Sequence, residues 1–481
     1  MNDTGSQLKS EDWLSLGIGL IIFFLAVGPL AGVDLLGWSA KLQIWSNPLQ
    51  MLAPVSKDSG VSGFTALILT YLFVLALMSL GALLLRANLK RFVIGFTLVF
   101  WISYLCWIIG HFANIAATPD QFEKLGIRWS LNLTGEAGYI LALIAGLAVG
   151  NFFVGFSQKI QEALRPEWYI KTAIVVMGAA LGVKAAESFG LATTILARGL
   201  CAIIEAYLLY WAVVYYVARR YFKFNREWAA PLASGISICG VSAAIATGAA
   251  IRARPMIPIM VSSLVVIFSV VELLLLPFLA QQFLYHEPMV AGAWMGLAVK
   301  TDGAGIASGA ITDALIRAKA FEAEGIKYEE GWILMAATTT KIFIDIFIGI
   351  WTFLLAYIWT GVIDRKEGEE LRGKELWQRF PKFVIGYVAT FLIFLLLCMN
   401  DPAIIPTAKT GSDQANVYRQ LFFLMTFFSI GAVSNFRKLW EEGIGKLAAV
   451  YVVSLFGFVI WVGLLISWFF FHGIKPPIVT G

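Results

Sequence analysis

The chain has 481 residues, of which 59% are hydrophobic and 14% charged, and its mean hydropathy is +0.78. A soluble domain carries about 25% charged residues, so a soluble fold is excluded. Disorder is excluded by the scarcity of charge, and a disulfide-stapled secreted domain by a count of four cysteines. What remains is an all-α polytopic membrane protein, since a membrane barrel needs short alternating strands and not long apolar runs.

The opening MNDTGSQLKSEDW is polar and lacks the basic start and small-residue cleavage site of a signal peptide, which predicts that the first apolar run is retained. Runs near the roughly 20 residues that cross a bilayer fall at 14–34, 62–86, 92–116, 137–156, 169–187, 191–218, 229–251, 257–283, 289–311, 332–360, 381–398, 419–436 and 447–472. They predict about thirteen spans. The seventh and ninth are rich in Gly, Ala and Ser where the others are rich in Leu.

Positive loops stay cytoplasmic. With the N-terminus inside, about 20 basic residues fall inside and about 12 outside. The inside set includes Arg86, Arg165, Arg219, Arg220, Lys223, Arg226, Arg365, Lys366, Arg372, Lys374, Arg379, Arg437 and Lys438. Arg252 and Arg254 resist this count and suggest a re-entrant or broken segment. The net charge of +5 is thus a topology signal and gives no ground for nucleic-acid binding. Cys106, Cys201, Cys239 and Cys398 lie in apolar runs without CxxC spacing and read as structural thiols. The sequon Asn132-Leu133-Thr134 carries no weight without a glycosylating host.

Short sequences echo along the chain. GLAVGN at 146–151 returns as GLAVKT at 296–301, and SICGVS at 237–242 returns as SIGAVS at 429–434. Each pair is five spans apart, an odd number, so the copies face opposite ways as in inverted-repeat transporters. The expected organisation is additional helices over 1–130, a first five-helix repeat over 131–286 and a second, inverted repeat over 287–481. SGISICGVSAAIATG at 234–248 and TFFSIGAVSNFRK at 426–438 are too rich in Gly and Ser for plain lipid-facing helices. Irregular backbone at membrane depth survives when buried in protein or lining a wet cavity. Close packing of helices through small residues is the other reading.

A charge at the bilayer centre costs at least about 2.5–3.5 kcal/mol. Arg198 and Glu205 lie two turns apart on one face of the sixth span, and Lys341 and Asp345 lie four apart on the tenth, spaced to pair. Glu272 lies inside the eighth span, and Lys184 near the end of the fifth. Lys300, Thr301 and Asp302 interrupt the glycine-rich ninth span, where an ammonium can bind an anion and a carboxylate can take sodium or a proton. Thr338, Thr339 and Thr340 precede Lys341 and are expected mostly to bond their own helix. His111, His286 and His472 are too dispersed for a metal or haem site. No HExxH, GxSxG or GxxxxGK[ST] motif is present, so no enzyme is expected.

From about residue 137 onward the chain resembles the YeiH-like family of bacterial inner-membrane proteins, to which sulfate export is ascribed. The resemblance rests on GLAVGN at 146–151, SGISICGVSAAIATGAAIRA at 234–253, the ninth span at 296–309, and SIGAVSNFRKLWEEG at 429–443. It departs at Lys300-Thr301, where members often carry His-Glu. The resemblance implies an inverted-repeat transporter with two crossed, broken helices, here the seventh and twelfth spans. The expected function is a secondary-active exporter of a small anion (sulfate, sulfite or an organosulfonate). Ser237, Gly240, Ser242, Lys300, Thr301, Ser434 and Asn435 are expected to bind substrate and Asp302 to couple an ion. Arg198, Glu205, Lys341 and Asp345 would form a supporting charge network. No cofactor or metal is expected beyond Na+ or H+ as coupling ion. The partners are the anion, the lipid bilayer and, optionally, further copies of the chain. A passive anion channel and a membrane-embedded sensor or scaffold are the alternatives.

Overall fold

The computed structural model describes residues 10–117, 121–131, 133, 135, 137–254, 256–359, 363, 381–435 and 445–479. The basic residues Arg365, Lys366, Arg372, Lys374, Arg379, Arg437 and Lys438, and the sequon ends Asn132 and Thr134, lie outside the described residues.

The first three predicted spans become α1 (Glu11–Ala26), α2 (Gly63–Leu84) and α3 (Leu89–Gly110). Each starts where a short polar side chain accepts a free backbone N–H: Ser10 from Trp13, Ser62 from Thr65, Asn88 from Arg91. Between α1 and α2, strands β1 (Ala40–Leu42) and β2 (Leu52–Pro54) pair antiparallel, Ala40 opposite Pro54. The fourth span is α4 (Ala137–Phe152), which turns through 111° into α5 (Val154–Ala163). Then follow α6 (Pro166–Glu187), α7 (Phe189–Arg220), α8 (Arg226–Ser237), α9 (Val241–Ala250) and α10 (Met256–Leu284). The second half comprises α11 (Pro288–Ala298), α12 (Asp302–Glu324), α13 (Trp332–Ile358), α14 (Lys382–Asn400), α15 (Ile405–Val433) and α16 (Gly445–Phe471). Nine helices among the described residues are long and apolar enough to cross a membrane, or ten if the bent α4–α5 pair counts as one span. This supports a polytopic all-α protein.

The chain forms two compact units. One is Met1–Thr193 with Lys382–Val433, the other Thr194–Pro381 with Ser434–Gly481. In the first, small residues let backbones approach closely, as membrane helices require. A Cβ on Gly178 or Gly182 of α6 would strike the carbonyls of Tyr387 and Phe391 on α14, and one on Gly146 or Gly150 of α4 those of Phe428 and Ala432 on α15. Ion pairs Glu11–Arg165 (2.6 Å) and Asp12–Lys171 (2.8 Å) tie α1 to the start of α6 and the residue before it. His111, at the end of α3, is a packed polar residue, its Nδ1 2.9 Å from the Trp107 carbonyl. The predicted break in the twelfth span is not within the helix: α15 is continuous for 29 residues, and helix stops only at Val433. Gly431 does not interrupt it, because it serves instead as the close-contact point against Leu143 and Leu147.

In the second unit the seventh and ninth spans depart from the sequence reading. The seventh is a helical hairpin. α8 runs in, the chain turns at Ile238–Gly240, and α9 runs back beside it. Thr247 donates to Ser234 Oγ at 2.7 Å, and at the base the Arg254 N–H donates to Glu227 at 2.7 Å. That N–H and the Arg254 guanidinium hold the Glu227 carboxyl below the usual carboxylate range. The ninth is a second hairpin. Gly292 and Gly296 of α11 run parallel to Ile333 and Ala337 of α13, whereas Gly305, Gly309 and Asp313 of α12 meet Lys341, Ala337 and Gly331 in descending order. Two helices lying along α13 in opposite directions fold back on each other. The reason in both is the same: Gly-, Ala- and Ser-rich faces allow two helices to pack within one span's width.

The polar stretch near 312–331 is largely helical, because α12 continues to Glu324. Asp313 makes this possible. Its Oδ1 accepts the N–H groups of Gly331, Ile333 and Leu334 at the start of α13, and its Oδ2 pairs with Arg317 at 2.8 Å. Asp313→Ala is expected to lower unfolding stability by about 1–3 kcal/mol, the cost of leaving buried donors unsatisfied, read as a fall in thermal midpoint in detergent.

Candidate functional site

The bases of the two hairpins lie at opposite ends of α10, whose 29 residues span about 43 Å. Their tips nevertheless meet. Gly240, at the first tip, has φ +71°, and a Cβ there would lie 2.8 Å from the Lys300 carbonyl and 3.1 Å from Thr301 Cγ2 at the second. Only a residue without a side chain tolerates both that dihedral and that approach.

At each tip a helix ends with a carbonyl that finds no partner in its own helix. Ile238 closes α8 and Val299 closes α11. Lys341, fully buried on α13, takes both: its ammonium donates to the Val299 carbonyl at 2.9 Å and to the Ile238 carbonyl at 3.4 Å. Two helix C-termini, each carrying partial negative charge, thus converge on one cation. On the other side of the tips, Thr301 caps α12 by accepting the Ala304 N–H at 3.1 Å, and Asp302 opens the helix at its positive end.

Asp302, Asp345 and Cys239 are all buried, and one ligand atom from each lies within 4.8 Å of the others. A thiol and two carboxylates gathered in this way could hold a cation. Cys239, read from sequence as a structural thiol, is buried and forms no disulfide, as is true of the other three cysteines. Its place in the turn of the first hairpin was the signal that went unread.

Lys300 is also fully buried. Its backbone N–H donates to Glu272 Oε2 at 2.9 Å, its ammonium donates to the Leu297 carbonyl, and the ammonium stands 4.4 Å from the centre of the Tyr210 ring. Glu272 also accepts the Tyr451 hydroxyl at 3.0 Å. Glu205 lies in a π-helical turn of α7, Ile204–Tyr210. The expected Arg198–Glu205 pair is not formed: Arg198 instead donates to the Phe470 carbonyl at 2.6 Å. The π turn breaks the two-turn register on which that expectation rested. Of the three threonines before Lys341, Thr340 bonds its own helix at the Ala336 and Ala337 carbonyls, whereas the buried hydroxyls of Thr338 and Thr339 make no hydrogen bond, against the expectation that most would.

The predicted residues therefore divide. Gly240, Lys300, Thr301 and Lys341 meet at the tips, with Asp302 and Asp345 in the set beside Cys239, and Glu205 faces Lys300. Ser237 ends α8 with its hydroxyl buried and accepting or donating no hydrogen bond. Ser242 lies in α9, its side chain outside the described residues. Ser434 (buried) and Asn435 (half-buried) follow the end of α15, where the chain leaves the first unit. Tyr210, Glu272 and Tyr451 were not predicted as site residues, although a carboxylate inside the eighth span marked Glu272.

Buried ionisable groups around two hairpin tips, in a chain of long apolar helices, define a multi-pass helical membrane protein. The family model described as Conserved hypothetical protein 698 matches residues 104–450, and the chain belongs to that family of membrane proteins. Among its relatives is the UPF0324 membrane protein NE0724 of Nitrosomonas europaea, 42% identical over 486 residues, covering 100% of this chain and 99% of the relative. An uncharacterized protein of Archaeoglobus fulgidus is 46% identical over 165 residues, 30% of this chain and 88% of the relative. A UPF0324 membrane protein of Nitratidesulfovibrio vulgaris is 26% identical over 410 residues, 82% of this chain and 62% of the relative. No solved structure matches. The family model begins after α1 and α2, whereas the Nitrosomonas relative matches the whole chain.

Proposed function

We propose that the protein is a secondary transporter working by alternating access, exporting a small anion such as sulfate, sulfite or an organosulfonate across the bacterial inner membrane. The observation that carries transport is the tip-to-tip meeting of two hairpins based at opposite ends of one long helix. A junction of this kind supports a reading in which irregular backbone and buried charge lie at mid-depth and each hairpin acts as a gate to one side. The N-termini of α9 and α12 lie at the tips, and the partial positive charge of a helix start suits an anion, which supports the substrate class together with the YeiH-like resemblance. Asp302 and Asp345 support a cation, Na+ or H+, as coupling partner.

A hairpin returns the chain to the side it left. Arg252 and Arg254 then join Arg219, Arg220, Lys223 and Arg226 on one side, which supports a cytoplasmic N-terminus and an external C-terminus. An inverted internal repeat is supported by two features. Hairpin-then-helix occurs twice from opposite ends of α10, and the GLAV word precedes a break both at α4–α5 and at α11–α12.

The test is flux of labelled sulfate, sulfite and organosulfonates in proteoliposomes holding the full chain. Saturable, gradient-driven flux is expected. Unsaturable conductance would replace the transporter with a channel, and ligand-induced thermal shift without flux would replace it with a sensor. Lys300→Met is expected to reduce flux by about tenfold or more, equivalent to about 1.4 kcal/mol in the barrier. Full activity in that variant would remove Lys300 from the mechanism.

A further inference from the structure

The second unit buries more negative than positive charge. Among its described residues, Glu205, Glu272, Asp302 and Asp345 are 3% exposed or less, as are Lys300 and Lys341, while Asp313 has Arg317. Four carboxylates against two ammonium groups leave two negative charges in excess. An ion taken out of water costs several kcal/mol unless something offsets it.

The four carboxylates are not equally provided for. Glu272 accepts two hydrogen bonds, from the Lys300 N–H and the Tyr451 hydroxyl. Asp302 and Asp345 share the cation-sized set with Cys239. Glu205 is fully buried, and neither of its oxygens accepts a hydrogen bond. The Tyr210 hydroxyl, although beside it, donates at 2.6 Å to the Val459 carbonyl, in the π-helical turn Leu455–Val459 of α16. Tyr210 links Glu205 to Lys300: the Lys300 ammonium of the second hairpin tip stands 4.4 Å from the centre of the Tyr210 ring, and Cys201 and Tyr210 lie near Glu205 on its own helix. From α16 comes Gly463, where a Cβ would lie 3.3 Å from Glu205 Oε1 and 2.6 Å from the Tyr210 hydroxyl. A side chain at this position would crowd both groups, and glycine spares them that contact.

We propose that Glu205 is a proton-binding site, its proton exchanged with water as the second hairpin carries Lys300 toward it or away. The proton bonds to a carboxylate oxygen when the ammonium withdraws and returns to water when the ammonium approaches. Each state then keeps the same net charge beside the tip. This deepens the transporter reading and rests on it for the word coupling: Glu205 is the proton site, distinct from the Asp302–Asp345 set.

The test uses the purified full-length protein and needs no substrate. Infrared difference spectra taken across a pH titration are expected to contain a carbonyl stretch of a protonated carboxylic acid that is absent from Glu205→Gln. Gly463→Ala, which crowds Oε1 without removing the carboxyl, is expected to shift that band and not abolish it. A wild-type spectrum with no such band, or a band that persists in Glu205→Gln and is unmoved in Gly463→Ala, overturns the proposal. In proteoliposomes, Glu205→Gln is expected to lose the dependence of sulfate flux on an imposed pH gradient. No sulfate flux in the wild type with the Glu205 band present would sink the transporter reading and leave the proton site standing; flux without the band would do the reverse.

Discussion

Replacing Lys341 with methionine is expected to produce the largest loss of stability of any single change at the hairpin tips. The side chain is completely buried, and its ammonium is the donor for the Val299 and Ile238 carbonyls. Methionine fills nearly the same volume with no donor, so both carbonyls are left buried and unmet at about 1–3 kcal/mol each. Lys341 is also one of two buried ammonium groups set against four buried carboxylates, Asp313 aside, among the described residues of its unit, and removing one member of a buried ionic cluster costs about 3–5 kcal/mol. These terms overlap and do not add in full. A loss of several kcal/mol is expected, seen as a large fall in thermal midpoint in detergent, with transport abolished. An unchanged midpoint in Lys341→Met would mean that the two tips do not depend on this ammonium.

Gly240→Ala is expected to act differently, on the junction and less on the global fold. The left-handed backbone at Gly240 costs an alanine about 1–2 kcal/mol. Its new methyl would also stand 2.8 Å from the Lys300 carbonyl, a main-chain atom that cannot rotate aside. The relief available is separation of the hairpin tips, which displaces Lys300 and Thr301 together. Flux in proteoliposomes is therefore expected to fall far more than the thermal midpoint. Gly248→Ala, where the Cβ would meet the flexible ring of Pro258 at 3.0 Å, serves as the comparison and is expected to keep most of its activity.

Much of this molecule is legible in its sequence because a bilayer imposes a single loud rule. Runs of apolar residues must be helices, and where they lie follows from hydropathy along the chain. Thus α1, α2 and α3 fall on the first three apolar runs. The same rule makes Lys300, Asp302, Lys341 and Asp345 stand out, since charges inside such runs are costly enough to need a reason. Arg252 and Arg254 suggested a re-entrant or broken segment, and there the chain folds back on itself as the hairpin of α8 and α9.

The pairing of those segments could not be read in the same way. The echo between residues 237–242 and 429–434 suggested that the seventh and twelfth spans would break and cross. Instead α15 runs unbroken to Val433, and the break that meets Ile238–Gly240 is the one at Val299–Thr301. Glycine marks both close packing and chain reversal, and which of the two it does depends on what lies opposite. Gly431 faces the backbone of α4, while Gly240 faces the tip of another hairpin.

The sequence by itself determined that the protein is a helical membrane protein, where most of its helices begin and end, and which ionisable groups are buried at expense. Periodicity, hydropathy and capping act over a few residues, so they are written locally. The tertiary structure alone decided that two hairpins meet on Lys341, that Arg198 leaves Glu205 for Phe470, and that Glu205 is left facing Lys300 without a hydrogen bond. Those outcomes depend on groups brought together from distant parts of the chain, and a buried charge is offset only by what three dimensions place beside it.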